Sequence, residues 1–281
     1  MTATTERTFT QKLRSRLQLI ERPLRRGVRL LGGLYFTHVA KTYKVAGLEL
    51  HVPFALTDLE FRGRFITGEY ETEERRHLRT YLRPDATVLE LGACLGVVSC
   101  LTNRLLDRPE RHVVVEANPT LIPWIERNRD HNDCRFEIEQ CLVTDRPAAD
   151  FYLHELIVGG SATRATGKKI SVPGKTIDRL EREHGLAFDT LVMDIEGGEY
   201  HLLRDYRDRL RRFRQIFMEI HPFSGILTAA QATECETALR AAGFALRLQD
   251  GYFQYWERTP GPPQTSPEPG GEASTTRTSA T

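Results

Sequence analysis

From about residue 87 onward, short apolar runs alternate with stretches of helical period, and this alternation predicts a parallel sheet covered by helices on both faces. Strands are predicted over residues 87–91, 112–116, 135–143, 191–195 and 215–220, with helices over 96–106, 119–129 and 199–212 between several of them. Val113, Val114 and Val115 are apolar without alternation, as a strand buried on both faces requires. The end of this region reads differently. A helix over 229–242 precedes two runs, 244–249 and 252–257, joined by Asp250-Gly251, a dipeptide that favours a tight hairpin. The fold class expected is α/β: a doubly wound, mostly parallel sheet that finishes in a terminal antiparallel hairpin.

Composition divides the 281 residues into four zones. Residues 1–34 are basic, 35–84 form an aromatic-rich lead-in or cap, 85–258 carry the alternating pattern, and 259–281 are Pro, Gly, Ser and Thr with almost nothing apolar. Such a tail is expected to be disordered, since it buries too little to offset its ordering entropy. In the first zone Arg7, Lys12, Arg14, Arg16, Arg22, Arg25, Arg26 and Arg29 are interleaved with Leu13, Leu17, Leu19, Ile20 and Leu24. Pro23 and Gly27 are expected to interrupt any single long helix there. The segment reads either as a solvated helix packed on the body or as an amphipathic element lying on anionic lipid. In the second zone, Tyr35, Phe36, Tyr43, Phe54, Phe61, Phe65 and Tyr70 read mostly as core, with a cap over the ligand opening as a further role.

Charge narrows the function classes. Lys plus Arg (39) nearly cancels Asp plus Glu (38), which argues against a polycation built to coat nucleic acid. No apolar run approaches the roughly 18–20 residues that span a bilayer, and Met1–Thr10 lacks the layout of a secretory signal. Five scattered cysteines without CxxC spacing suggest neither a disulfide framework nor a zinc site. The expected home is the cytoplasm, with membrane contact at most peripheral and through the basic segment.

Four motifs carry chemistry. Glu90-Leu91-Gly92-Ala93-Cys94-Leu95-Gly96 follows a strand and opens a helix, where small residues and free amides let a ligand approach the backbone. A dinucleotide fingerprint would have glycine where Cys94 stands, and an acid at Glu90 suits a cationic ligand better than a pyrophosphate. Glu116, ending the next strand before Ala117-Asn118-Pro119, could accept both hydroxyls of a ribose; a helix-capping acid is the plainer reading. Met193-Asp194-Ile195-Glu196-Gly197-Gly198-Glu199 sets three carboxylates within six residues at a strand's carboxyl end. Residues two apart share a strand face, so Asp194 and Glu196 should point the same way. Burying such acids is costly unless something positive or proton-donating meets them. Hard cations take carboxylates, but no second ligand cluster is evident in the sequence, so no metal is expected. Glu219 and His221 likewise share a face, and His221 could serve as a general base or as a structural histidine.

In order along the chain, these pieces resemble the FkbM-type family of S-adenosylmethionine-dependent class I methyltransferases. The likeness runs from about Tyr70 to His221 and rests on Gly68-Glu69-Tyr70-Glu71, Val88-Leu89-Glu90-Leu91-Gly92-Ala93, Glu116-Ala117-Asn118-Pro119, Thr176-Ile177-Asp178, Asp194-Ile195-Glu196-Gly197-Gly198-Glu199 and Glu219-Ile220-His221. Glu90, Cys94 and Met193 depart from it, standing where such proteins usually have Asp, Asn and Lys. The resemblance implies a Rossmann-like class I methyltransferase sheet with the last hairpin inserted at its edge. It also implies S-adenosyl-L-methionine as cofactor and a hydroxyl of a sugar, glycolipid or natural product as acceptor. Glu90, Gly92, Ala93, Cys94 and Gly96 would cradle the methionine part of the cofactor, Glu116 and Ala117 its ribose, and Gln140 and Cys141 its adenine. Asp194, also at the cofactor, Glu196 and His221 are the candidate catalytic bases. Residues 151–175, with His154, Gly159-Gly160-Ser161 and Arg164, would form a hairpin or lid over a small-molecule or glycan acceptor. Two other readings compete: a catalytically silent cofactor-binding partner in a biosynthetic complex, and an NAD-dependent oxidoreductase, which Cys94 disfavours.

Overall fold

In the computed structural model, residues 23–35 are helical and are called α1, which runs through Gly27, because an isolated glycine is tolerated inside a helix. The structure describes residues 23–259 except 155–156, 158–159, 163, 166 and 223–225. Most of the basic segment and the expected disordered tail beyond 259 therefore lie outside the described residues. A five-residue π-helical turn, Phe36–Ala40, leads from α1 to a hairpin of β1 (Thr42–Val45) and β2 (Leu48–His51). Then come α2 (Leu59–Thr67) and α3 (Thr72–Tyr81). α1 crosses α2 at backbone distance: a Cβ on Gly63 would lie 1.9 Å from the carbonyl oxygen of Arg29. The outward side of α1 leaves Leu24 and Leu31 more than half exposed.

The main sheet follows from the buried, mostly apolar runs. β3 (Val88–Leu91), β4 (His112–Val115) and β9 (Thr190–Met193) are buried at every position and lie next to one another. β10 (Gln215–Glu219) flanks β9, and β5 (Glu137–Glu139) closes the other edge. The last two strands, β11 (Phe244–Asp250) and β12 (Phe253–Arg258), form the expected hairpin. β12 inserts antiparallel between β11 and β10, giving the order β11-β12-β10-β9-β3-β4-β5. This is the mostly parallel, doubly wound sheet with an inserted terminal hairpin that the sequence pattern and the resemblance lead one to expect. Helices α4 (Val97–Leu105) and α5 (Ile122–His131) cover one face. On the other lie α6 (Ile177–His184), α7 (Glu199–Asp205) and α8 (Ala229–Ala241), with the largest apolar cluster between them and the sheet.

Two expected elements are shorter than the pattern suggests. The run 135–143 splits at Gln140-Cys141: β5 stays in the main sheet, while β6 (Leu142–Val143) turns out to pair with β8 (Lys168–Lys175). β7 (Ala148–Leu153) joins β8 antiparallel, so the expected lid hairpin becomes part of a separate three-stranded sheet. The helix expected over 199–212 ends at Asp205, and one 3-10 turn, Leu210–Arg212, follows. Asp178 holds Arg209 and Arg212 there, fixing the chain out of helical register.

The lead-in packs on the main domain. Phe36, Tyr43, Phe61, Phe65 and Tyr70 are buried in a shared core with α4 and α5, whereas Tyr35 and Phe54 remain exposed. Asn128 of α5 and Asn132, which caps its C-terminus, take the backbone N–H groups of His51 and Glu49, so β2 is tied to that helix by side chains. Among the described residues, no helix is long and apolar enough to cross a membrane.

Candidate functional site

Register sets the site. Leu91 of β3 lies opposite both Val115 of β4 and Met193 of β9, and Met193 lies opposite Met218 of β10. The residues that follow, Gly92, Glu116, Asp194 and Glu219, therefore leave the sheet at one height along four adjacent strands. Open α/β sheets bind ligands at this carboxyl edge. A cavity of about 1060 Å³ opens there, walled by Gly92, Cys94, Glu116, Asn118, Cys141 and Asp194, with Phe151 and Tyr152 of β7 facing it. Gly92 has φ +88°, and a Cβ on it would stand 2.0 Å from the carbonyl oxygen of Asp194. Only glycine lets the turn after β3 lie against the end of β9.

Glu116 is buried in this wall. One oxygen accepts the Cys94 N–H at 3.0 Å and the other the Asn118 N–H at 2.8 Å. Burial pushes its carboxyl up, and the amides oppose that. Cys94 holds the left-handed conformation (φ +50°) and accepts a hydrogen bond from the Tyr70 hydroxyl at 3.3 Å. Ala117 and Cys141 also line the cavity, the Cys141 thiol pushed up to about 12 by burial.

Several expected contacts need correcting. Glu90 faces the other way: Ser99 Oγ donates to one carboxylate oxygen, and His112 Nε2 lies 3.2 Å from the other. All three residues are fully enclosed, so Glu90 is consumed beneath α4 and does not reach a ligand. Ala93 is core, Gly96 caps α4, and Gln140 is exposed; none of the three is on the cavity wall. The alternation argument for Asp194 and Glu196 also fails, because β9 ends at Met193 and Glu196 turns into the left-handed region at φ +50°. Glu196 still lines the cavity, but Arg164 pairs with it at 3.3 Å from the segment between β7 and β8. Glu199 is buried inside the turn, accepting the N–H groups of Ile195 and Gly197, and burial raises its carboxyl to about 7. The three neighbouring acids thus do three different things.

Asp194 is the one left without protein neutralisation. Its Oδ1 has no hydrogen-bond partner, and burial, then Glu196 and Glu74, push its carboxyl up to about 8; a side chain 40 % exposed to the cavity softens that push. Glu219 stands beside it, raised to about 10 by burial and by Asp194. His221 is not on the cavity wall but lies behind it, Nε2 3.9 Å from Asp194 Oδ1 and 3.6 Å from Glu219 Oε2. Glu74 of α3 reaches Glu219 from the lead-in, and Glu71, at the start of α3, lines the cavity with its carboxyl pushed well above the usual range by burial and by Glu74. Sequence reasoning assigned no role to Glu71, Glu74 or Asn118. The spacing of Glu74, His77 and Leu78, all buried on one face of α3, is the signal that could have found Glu74.

The family model described as methyltransferase FkbM domain matches residues 90–246. No curated protein matches the chain. Solved structures similar in fold include a methyltransferase from Pyrococcus furiosus (12% identity, 81% of this chain and 95% of that one, TM-score 0.45). An O-methyltransferase from Bacillus cereus in complex with SAH is similar at 14% identity over 65% of this chain and 76% of that one, TM-score 0.41. The ribosomal protein L11 methylase of Lactobacillus delbrueckii subsp. bulgaricus is similar at 14% identity over 68% and 80%, TM-score 0.41.

Proposed function

Since the chain belongs to the FkbM methyltransferase family and is an S-adenosylmethionine-dependent methyltransferase, we propose that it methylates a hydroxyl oxygen of a small-molecule or glycan acceptor. The residues around the cavity fit the donor. Glu116 keeps one lone pair free on each oxygen after its two amide bonds, which suits the paired hydroxyls of a ribose. Glu71 Oε2 has no hydrogen-bond partner and suits the ammonium end of the methionine. Gly92 keeps the turn open to ligand atoms. Cys94, bonded to Tyr70, fills the place where a pyrophosphate would need glycine, which counts against a nicotinamide cofactor.

Bound S-adenosylmethionine supplies a methyl on a sulfonium sulphur, and its transfer to an oxygen leaves a neutral thioether and one proton to place. Asp194 receives that proton. A carboxyl near 8 is matched to neutral pH, where a positioned base adds about 10²–10⁴-fold. Phe151 and Tyr152 of the outer sheet, with Arg164 tied to Glu196, cover the opening and orient the acceptor. The observation that carries this reading is the emergence of Gly92, Glu116 and Asp194 at one level around one cavity. The test is calorimetry against S-adenosylhomocysteine and NAD, followed by methyl-labelled donor with glycan, lipid and polyketide acceptors. Product mass should rise by one methyl at oxygen; a preference for NAD, or methylation only at nitrogen or carbon, would refute it.

A further inference from the structure

We propose that Asp194, Glu219 and His221 together hold a divalent first-row cation at the edge of the donor cavity, with its open coordination positions toward the acceptor. One ligand atom from each residue lies within 4.8 Å of the others, and the imidazole nitrogen stands 3.6 and 3.9 Å from the two carboxylates. Ligands at about 2.0–2.3 Å from one ion are separated by at most about 4.6 Å, so the set closes on an ion with shifts of tenths of an ångström.

Charge points the same way. Asp194 and Glu219 bring carboxylate oxygens within 4.8 Å of each other, and Glu74 is close enough to act on Glu219. Two ionised carboxylates this close repel unless a proton or a cation stands between them. Among the described residues, no lysine or arginine forms an ion pair with Asp194, Glu219 or Glu74, although Asp178, for example, holds both Arg209 and Arg212. Glu74 adds an independent sign. It is only 8 % exposed, faces Glu219, and keeps Oε2 without a hydrogen-bond partner, an arrangement that a bound cation or its water would satisfy. Two carboxylates and one imidazole suit manganese, which accepts both oxygen and nitrogen donors.

Asp194 is the shared wall between this cluster and the cavity, so an acceptor hydroxyl entering there reaches the ion directly. The ion would lower the hydroxyl's pKa, and the proton would leave to cavity water instead of to Asp194. What the ion does therefore rests on the O-methylation reading; whether it binds does not.

The full chain, stripped with a chelator and dialysed, is titrated with Mn²⁺ alone and followed by electron paramagnetic resonance. One ion per chain is expected, with affinity lowered about tenfold or more in Glu219→Gln and in His221→Gln. Thermal melting checks that each variant is folded. Calorimetry with S-adenosylhomocysteine should give the same donor affinity in both, because neither residue lines the cavity. A wild-type protein that binds S-adenosylhomocysteine but no stoichiometric Mn²⁺ overturns the proposal. So does Mn²⁺ affinity unchanged in both variants. Mn²⁺ binding without S-adenosylhomocysteine binding keeps the cation site and sinks the donor reading instead.

Discussion

Glu90 in β3 and Asp194, one residue past the end of the neighbouring β9, are acids two positions apart in register, and they differ in what surrounds them. Glu90 sits opposite Val192, Asp194 two residues beyond that level. Glu90 is completely enclosed and has a hydroxyl and an imidazole against its two oxygens. Asp194 meets more carboxylates, and its Oδ1 has no hydrogen-bond partner, the His221 imidazole standing 3.9 Å away. Burial costs free energy in both cases, but only at Glu90 does the fold supply the compensation. An acid that the fold satisfies is part of the scaffold. One that it leaves unsatisfied at the carboxyl edge of an α/β sheet is held ready for something that arrives.

Asp194→Asn should break that contrast most. Turnover is expected to fall about 10²–10⁴-fold, the contribution of a positioned base or its equivalent. Stability of the chelator-stripped protein should hold or rise, because a repulsive charge is removed. The pH dependence gives the sign. The Asp194 carboxyl is raised from 3.8 to about 8, so between those values the folded state binds more protons than the unfolded chain. Its contribution to wild-type stability therefore weakens as pH climbs from about 4 to 8, and Asp194→Asn should flatten that slope in urea titrations. A variant with full turnover would remove Asp194 from the chemistry.

His112→Ala tests the other side. It leaves the buried Glu90 carboxylate with Ser99 alone and strips the ring from its contact with Phe136, 5.4 Å away between centroids. Breaking a buried pair costs about 3–5 kcal/mol, so urea unfolding should show a loss of that size. A loss below about 1 kcal/mol would mean that the His112 imidazole does little to hold Glu90, and the contrast would dissolve.

The sequence carried much of this and missed the rest for identifiable reasons. Gly92, Glu116 and Asp194 are legible because each ends a mostly apolar strand at a turn, and the strand order then places them side by side. Glu90 is misread because a strand buried on both faces has no polar side to reveal which way its one acid points. The 135–143 run and the 199–212 helix are read as single elements because apolar pattern does not register a bend made by tertiary pairing. Glu74 is hidden in a charged string, Glu73-Glu74-Arg75-Arg76, that resembles a solvated face. Only the fold brings it to Glu219. The grouping of Asp194 with Glu219 and His221 is likewise hidden, because these residues are 25 and 27 positions apart in the chain.

Glu116 lies between the two extremes: satisfied by two amides, yet with lone pairs to spare. Glu116→Ala should weaken S-adenosylhomocysteine binding by about 1.5–3 kcal/mol, the range for hydrogen bonds to a charged group. Calorimetry measures it, with thermal melting to account for the lost Cys94 and Asn118 amide partners. Unchanged affinity would assign Glu116 wholly to the scaffold, beside Glu90.

Cys94 sharpens the comparison at its smallest scale, because it asks whether the turn is shaped by strain or by a specific contact. A cysteine at φ +50° has no side-chain means of easing the left-handed conformation, whereas asparagine adopts it readily. Its thiol is also the acceptor for Tyr70, which an asparagine oxygen could replace. If strain dominates, Cys94→Asn gains about 0.5–1 kcal/mol in urea unfolding and leaves S-adenosylhomocysteine affinity unaltered. If the thiol contact dominates, the same substitution destabilises and loosens the turn whose N–H is bound by Glu116, and donor affinity falls with it. The second outcome would move Cys94 from the scaffold to the binding site, beside the carboxylate it supports.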